Sequence, residues 1–194
     1  MISTTKYYND NSQEFFQSTV DADMTSLYMH FLKYIPDKGI ILDLGCGSGR
    51  DTKAFIDKGY KCDAIDGSSE LCRLASNFTG IEIKCKDFMA LNEKEKYNGI
   101  WACASLLHVN SNLLPRLLAK MRDAVIDNGV IYVSFKYGDF EGERNGRLFV
   151  DMNEERIRTL LSKADNLSII EEWYSEDVRQ DNDTKWYSII LRKG

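Results

Sequence analysis

The sequence lacks any apolar run long enough to cross a bilayer. Its first residues, Met1-Ile2-Ser3-Thr4-Thr5-Lys6, contain no apolar segment of the kind that drives secretion. Positive charge is in deficit: 25 Lys and Arg face 30 Asp and Glu, for a formal net charge of −5. Composition therefore gives no electrostatic argument for nucleic acid or for anionic membranes as partners. The five cysteines (Cys46, Cys62, Cys72, Cys85 and Cys103) form no C-x-x-C pair and are odd in number. That pattern speaks against a metal cluster and for reduced thiols in a cytoplasmic protein. Repeats, linkers and low-complexity tracts are missing as well. What is left is 194 residues, 43% hydrophobic and 28% charged, the length and composition of one globular domain.

The informative stretch is Ile40-Ile41-Leu42-Asp43-Leu44-Gly45-Cys46-Gly47-Ser48-Gly49-Arg50-Asp51. A short apolar run that opens on β-branched residues reads as a buried parallel strand. Three glycines then give a turn that a ligand can approach closely. Asp51 to Lys58 has helical composition and stops at Gly59. Such a unit aims the free N–H groups of a helix at a ligand above the turn. A dinucleotide site wants its third glycine three residues after the second, but here Gly49 follows Gly47 by two. Asp43, two residues before Gly45, would repel a pyrophosphate and suit a cation. S-adenosylmethionine (SAM), with a sulfonium, an ammonium and no phosphate, satisfies both conditions.

Leu42 to Gly49 resembles motif I of the class I SAM-dependent methyltransferases, and the resemblance continues in register to the last strand. It implies a doubly wound, Rossmann-like α/β fold of three layers. Its seven-stranded sheet is mostly parallel, with an antiparallel last strand. Residues 38–194 are then the methyltransferase domain, and residues 1–37 a helical, aromatic lid segment of the same domain. The expected cofactor set starts with Asp43, Gly45, Cys46, Gly47, Gly49, Arg50 and Asp51. Asp66, at the end of a strand over 59–66, is placed to take both ribose hydroxyls, with Gly67 and Ser68 beside it. The resemblance assigns Asp87 to the adenine amino group and Phe88 to the adenine ring. Residues 97–109 read as strand four and its exit loop, where the small residues Ala102, Ala104 and Ser105 would let the ligand pass.

For the acceptor side, His108 is a candidate general base and Tyr8 a lid residue at the site. Arg144 and Arg147 sit in a glycine-punctuated segment, 136–149, which reads as an irregular loop over the substrate; both are candidates for binding a substrate anion. Tyr137 is a candidate pocket residue. Among the N-terminal aromatics, Tyr7, Tyr8 and Phe16 are expected in the lid, and Phe15, Leu27 and Phe31 in the core. Strand three is expected over 81–85, and strand five over 130–135 after a helix ending at Asp127-Asn128-Gly129. Strands over 167–174 and 185–192 form a closing hairpin, joined by a polar loop containing Asp177 and Arg179. Missing D/N-P-P-Y and metal-binding acids after strand four disfavour DNA-amine and metal-dependent catechol chemistry, and no metal is expected.

The function this implies is methyl transfer from SAM, leaving S-adenosylhomocysteine (SAH), to a small molecule, in the manner of methyltransferases of the tellurite-resistance and thiopurine type. RNA or protein methylation and a non-catalytic SAM-binding module are the alternatives. A nicotinamide oxidoreductase is disfavoured by the glycine spacing and by the closing hairpin.

Overall fold

The structure, a computed structural model, describes residues 4–178 and 184–194. Three short helices come first: α1 (Thr4–Asp10), α2 (Ser12–Thr19) and α3 (Thr25–Leu32). Then β1 (Ile40–Leu44), α4 (Arg50–Asp57), β2 (Lys61–Asp66), α5 (Ser69–Thr79), β3 (Lys84–Cys85) and β4 (Tyr97–Ala102) alternate. Helix α6 (Leu114–Ala124) leads into β5 (Val125–Lys136), a small hairpin of β6 (Glu141–Arg144) and β7 (Arg147–Val150), and α7 (Glu154–Leu161). Strands β8 (Leu167–Glu176) and β9 (Lys185–Lys193) close the chain.

Seven strands form one sheet in the order β3-β2-β1-β4-β5-β9-β8. All neighbours are parallel except β9, which runs antiparallel to both β5 and β8. The expected closing hairpin is therefore present. The order reverses between β1 and β4, and ligands of such sheets bind beyond the strand ends at that switch point.

Alternation along the central strands divides the core. Ile41, Trp101, Val130 and Tyr132 point to one face and pack with Phe31 of α3 and Phe55 of α4. Leu42, Leu44, Ile100, Ile131 and Val133 point to the other, against α6 and α7 through Leu117, Leu118, Met121, Ile157 and Leu160. Trp101 stacks on Tyr132 at 3.9 Å between centroids. Among the described residues no helix is long and apolar enough to cross a membrane.

Several boundaries differ from the sequence reading. Helix α6 ends at Ala124 and β5 begins at once, absorbing Asn128 (φ +62°) and Gly129 where its register with β4 shifts. Strand β3 has only two residues. The 136–149 segment is not an irregular loop: β6 and β7 pair antiparallel around Asn145 and Gly146. Both turn residues have positive φ, +50° and +76°, which fits the two-residue turn matched to strand twist. Asn11, between α1 and α2, makes no side-chain cap bond to α2 and donates its side-chain N–H to the Tyr7 carbonyl at 2.8 Å.

Candidate functional site

A cleft of about 630 Å³ lies above the C-terminal ends of β1, β2 and β4. Its floor is the glycine turn, whose Gly45 and Cys46 N–H groups donate to the Ile65 carbonyl at 2.8 and 3.1 Å. Gly45 has φ +85°, and a Cβ there would fall 2.5 Å from the Ser105 Cβ and 2.9 Å from the Phe88 ring. Only glycine fits between those walls. Ser105 in turn donates its hydroxyl to the Leu44 carbonyl at 2.6 Å, tying the exit of β4 to β1. Ala104 before it is held at φ +50° with its N–H on the Ser134 hydroxyl. That strained backbone lies at the cleft wall, where such strain is typically found.

Asp66 ends β2 and lines the cleft. Its carboxylate accepts from the Gly47 N–H at 2.9 Å and the Ser68 N–H at 2.8 Å. Burial raises its pKa above the ordinary carboxylate range, opposed by those backbone donors. Each oxygen keeps a further lone pair for ligand hydroxyls. Asp87 and Phe88 form one edge, where the Asp87 carboxylate accepts the Met89 N–H at 2.6 Å. Cys46, Arg50, Asp51, Gly67, Ser68, Ala104 and Ser105 also line the cleft.

Two residues of the expected cofactor set do not line it. Asp43 is 2% exposed and accepts the Thr52 hydroxyl at 2.6 Å, beneath the turn. Burial, then the charge of Asp51, raises its pKa, so it anchors the start of α4 from within the core. Of the two acids flanking the glycine turn, Asp43 and Asp51, the one that reaches the cleft is Asp51, which accepts from Tyr28 Oη (2.6 Å), Trp101 Nε1 (2.7 Å) and Arg50 Nε (2.7 Å). Gly49 faces α5, where a Cβ would lie 2.8 Å from Thr79 and 3.0 Å from Ala75. It lets two helices approach.

The roof is α1 and α2, contributing Thr4, Thr5, Tyr8, Phe15 and Thr19. Here the phase of the aromatics corrects the sequence reading. Phe15 faces the cleft, in contact with Gly47, whereas Phe16 packs outside on Phe78. Leu27 and Phe31 are both buried in the core, as expected, and Leu27 also lines the cleft. Tyr7 lies beneath Arg147 rather than on the cleft wall. The seven-residue spacing of Tyr8 and Phe15, whose rings meet edge-on at 5.0 Å, was the available signal.

On the acceptor side, His108 Nδ1 donates to the Leu148 carbonyl at 2.6 Å and Nε2 accepts the Tyr8 hydroxyl at 2.8 Å. A carbonyl can only accept, so the tautomer is fixed. Burial, and behind it the nearby Arg147 and Lys136, lowers the His108 pKa to about 4. A base so weak, with its lone pair already engaged, is poorly matched to proton abstraction at neutral pH. His108 thus lines the site as a neutral partner that orients Tyr8.

Arg144 is not at the site. Its guanidinium holds the buried Asp151 at 3.1 and 2.8 Å and stacks on Phe140. Tyr137 also faces away and packs edge-on against Tyr174. Arg147, on the facing strand of the same hairpin, does line the cleft. Asp177 accepts the Trp186 Nε1–H at 3.1 Å and lines the far wall; Arg179 lies outside the described residues.

Residues 41–129 match the family described as a methyltransferase domain. No curated protein matches the chain in sequence. Among solved structures, a SAM-dependent methyltransferase from Methanosarcina mazei aligns with TM-score 0.74 and 18% identity, over 85% of this chain and 96% of its own. The 1,6-didemethyltoxoflavin-N1-methyltransferase of Burkholderia thailandensis, solved with 1,6-didemethyltoxoflavin and S-adenosylhomocysteine, aligns at 0.78 and 18%, over 96% and 84%. A SAM-dependent methyltransferase from Clostridium acetobutylicum aligns at 0.73 and 18%, over 97% and 99%.

Proposed function

We propose that this chain, a class I methyltransferase by its matched domain and its fold, moves the methyl group of SAM to a small-molecule acceptor. The observation that carries the reading is the cleft above the Gly45–Gly47 turn, roofed by α1 and α2. Its volume lies within the range of small-molecule sites. The roof favours a compact acceptor over an RNA or a folded protein. The structural relative with bound 1,6-didemethyltoxoflavin supports the same choice by analogy.

The residues present fit the cofactor. Gly45 and Gly47 leave room that a side chain would fill, Asp66 offers spare acceptor capacity for hydroxyls, and Asp87 with Phe88 suits an adenine edge and face. When bound, SAM supplies a methyl carbon already activated by the sulfonium, which leaves as a neutral thioether once the acceptor atom bonds to carbon. The chain's own task is then to orient the acceptor and keep water out. Phe15, Leu27, Leu107 and Phe149 form apolar walls for this purpose. Tyr8, fixed by His108, offers its oxygen to the acceptor side. The five unpaired cysteines support a reducing, cytoplasmic setting.

Calorimetry with SAH tests the cofactor: saturable binding is expected, with none for NAD. Transfer of labelled methyl to a small-molecule pool, and not to an RNA or protein pool, tests the acceptor class. Labelling of RNA alone would reject it.

A further inference from the structure

Among the described residues, Arg147 is a cation at the cleft without a counter-ion. It lines the acceptor side, yet none of the ion pairs among the described residues includes it. The acids that line the cleft are Asp51, Asp66, Asp87, Glu176 and Asp177, and none pairs with Arg147. The other arginine of the hairpin, Arg144, pairs with the buried Asp151. Arg147 Nε is buried with no hydrogen-bond partner, and Nη1 has only a long contact, 3.4 Å, to the Tyr8 hydroxyl. A buried donor on a charged group is costly to leave unpaired, so its persistence calls for a partner that the described residues do not supply.

The side chain is also held in place. Its guanidinium carbon lies 4.4 Å from the Tyr7 ring centroid and 5.2 Å from that of Phe149. Aromatic faces position a cation without neutralising it. The tight Asn145-Gly146 turn and the Leu148 N–H, which donates to Thr4 Oγ1 at 3.0 Å, fix the strand that carries it. Lys136 lines the same part of the cleft, 5.0 Å from the Phe149 centroid, and adds positive potential. The depressed His108 pKa is in part a report of that field.

We propose that Arg147 binds an anionic group of the methyl acceptor, so that the acceptors of this enzyme are small organic acids such as carboxylates, sulfonates or phosphate monoesters. The planar guanidinium is built for such two-oxygen groups. This rests on the methyl-transfer reading above and adds the substrate class to it. The cofactor's own carboxylate is the other source of the same chemistry, and the experiment separates the two.

Wild-type protein saturated with SAH is titrated with benzoate, benzenesulfonate and phenyl phosphate, and with benzamide and benzenesulfonamide as uncharged counterparts, following protein NMR shifts. At least one acid is expected to bind about 10-fold or more tighter than its uncharged counterpart. Arg147→Met removes that preference, Arg147→Lys restores part of it, and both variants keep SAH affinity within about threefold of wild type. The proposal is overturned if no acid is preferred, if Arg147→Met retains the preference, or if Arg147→Met weakens SAH about 10-fold or more, which would give the guanidinium to the cofactor. Failure of wild type to bind SAH at all would instead reject the preceding reading.

Discussion

The hydroxyl of Tyr8 donates to Nε2 of His108 across a sequence separation of 100 residues, joining the roof of the cleft to its wall. Because Nδ1 already donates to Leu148, the pair has one arrangement only. Its two members should therefore act as a unit. Tyr8→Phe and His108→Gln are each expected to lower kcat/KM about 10-fold, with the double variant little worse than either single. Fully multiplicative losses in steady-state kinetics would show that they act independently.

The same pair makes stability depend on pH. In the unfolded chain His108 takes its proton near pH 6.5, but in the fold only near 4. The unfolded state binds more protons between those values, so acid favours unfolding there. The contribution is complete above about pH 6.5 and is lost as pH falls toward 4, at most about 3 kcal/mol. Urea titrations across that window should show a steeper acid loss for wild type than for His108→Gln.

Asp66 joins two backbone donors to the cleft. Asp66→Asn keeps an acceptor but loses charge, and should raise the SAH dissociation constant about 10- to 100-fold. Calorimetry reads this directly. An unchanged constant would leave Asp66 as a turn-capping acid alone.

Gly45→Ala meets both obstacles at once, a positive φ and the Ser105 Cβ. A loss of about 2–4 kcal/mol is expected in chemical denaturation, from overpacking and left-handed strain together. SAH binding should be lost with it. Gly59, also at positive φ but with open space around it, should cost only about 1 kcal/mol as Gly59→Ala.

Arg144→Ala leaves Asp151 buried without its partner. Allowing for the partial exposure of Arg144, a destabilisation of about 2–4 kcal/mol follows. Adding Asp151→Asn should recover part of it. Acid preference in the titrations above should survive in the double variant, since Arg144 does not reach the cleft.

Much of the sheet was legible because its signals are local. The run Ile40 to Leu44, the glycine turn and the strand-end acid Asp66 each announce themselves within a few residues. The acceptor side was less legible for physical reasons. Which of Phe15 and Phe16 faces inward depends on the phase of an eight-residue helix against the sheet. Which of Arg144 and Arg147 is free depends on Asp151, and the pairing is made by tertiary geometry. The Asn145-Gly146 turn was present in the sequence, but charge and glycine content masked it. Asp43 reads as a ligand because it precedes the glycines, yet alternation along β1 sends it toward α4.

The contacts Thr4 to Leu148, Tyr8 to His108 and Tyr8 to Arg147 span 144, 100 and 139 residues. On the ribosome, the first helices emerge long before the strands they must cover, and loop closure over such distances is slow. Competence to hold a small molecule is thus acquired late in biogenesis, when the segments carrying His108, Arg147 and Leu148 meet the helix made before them.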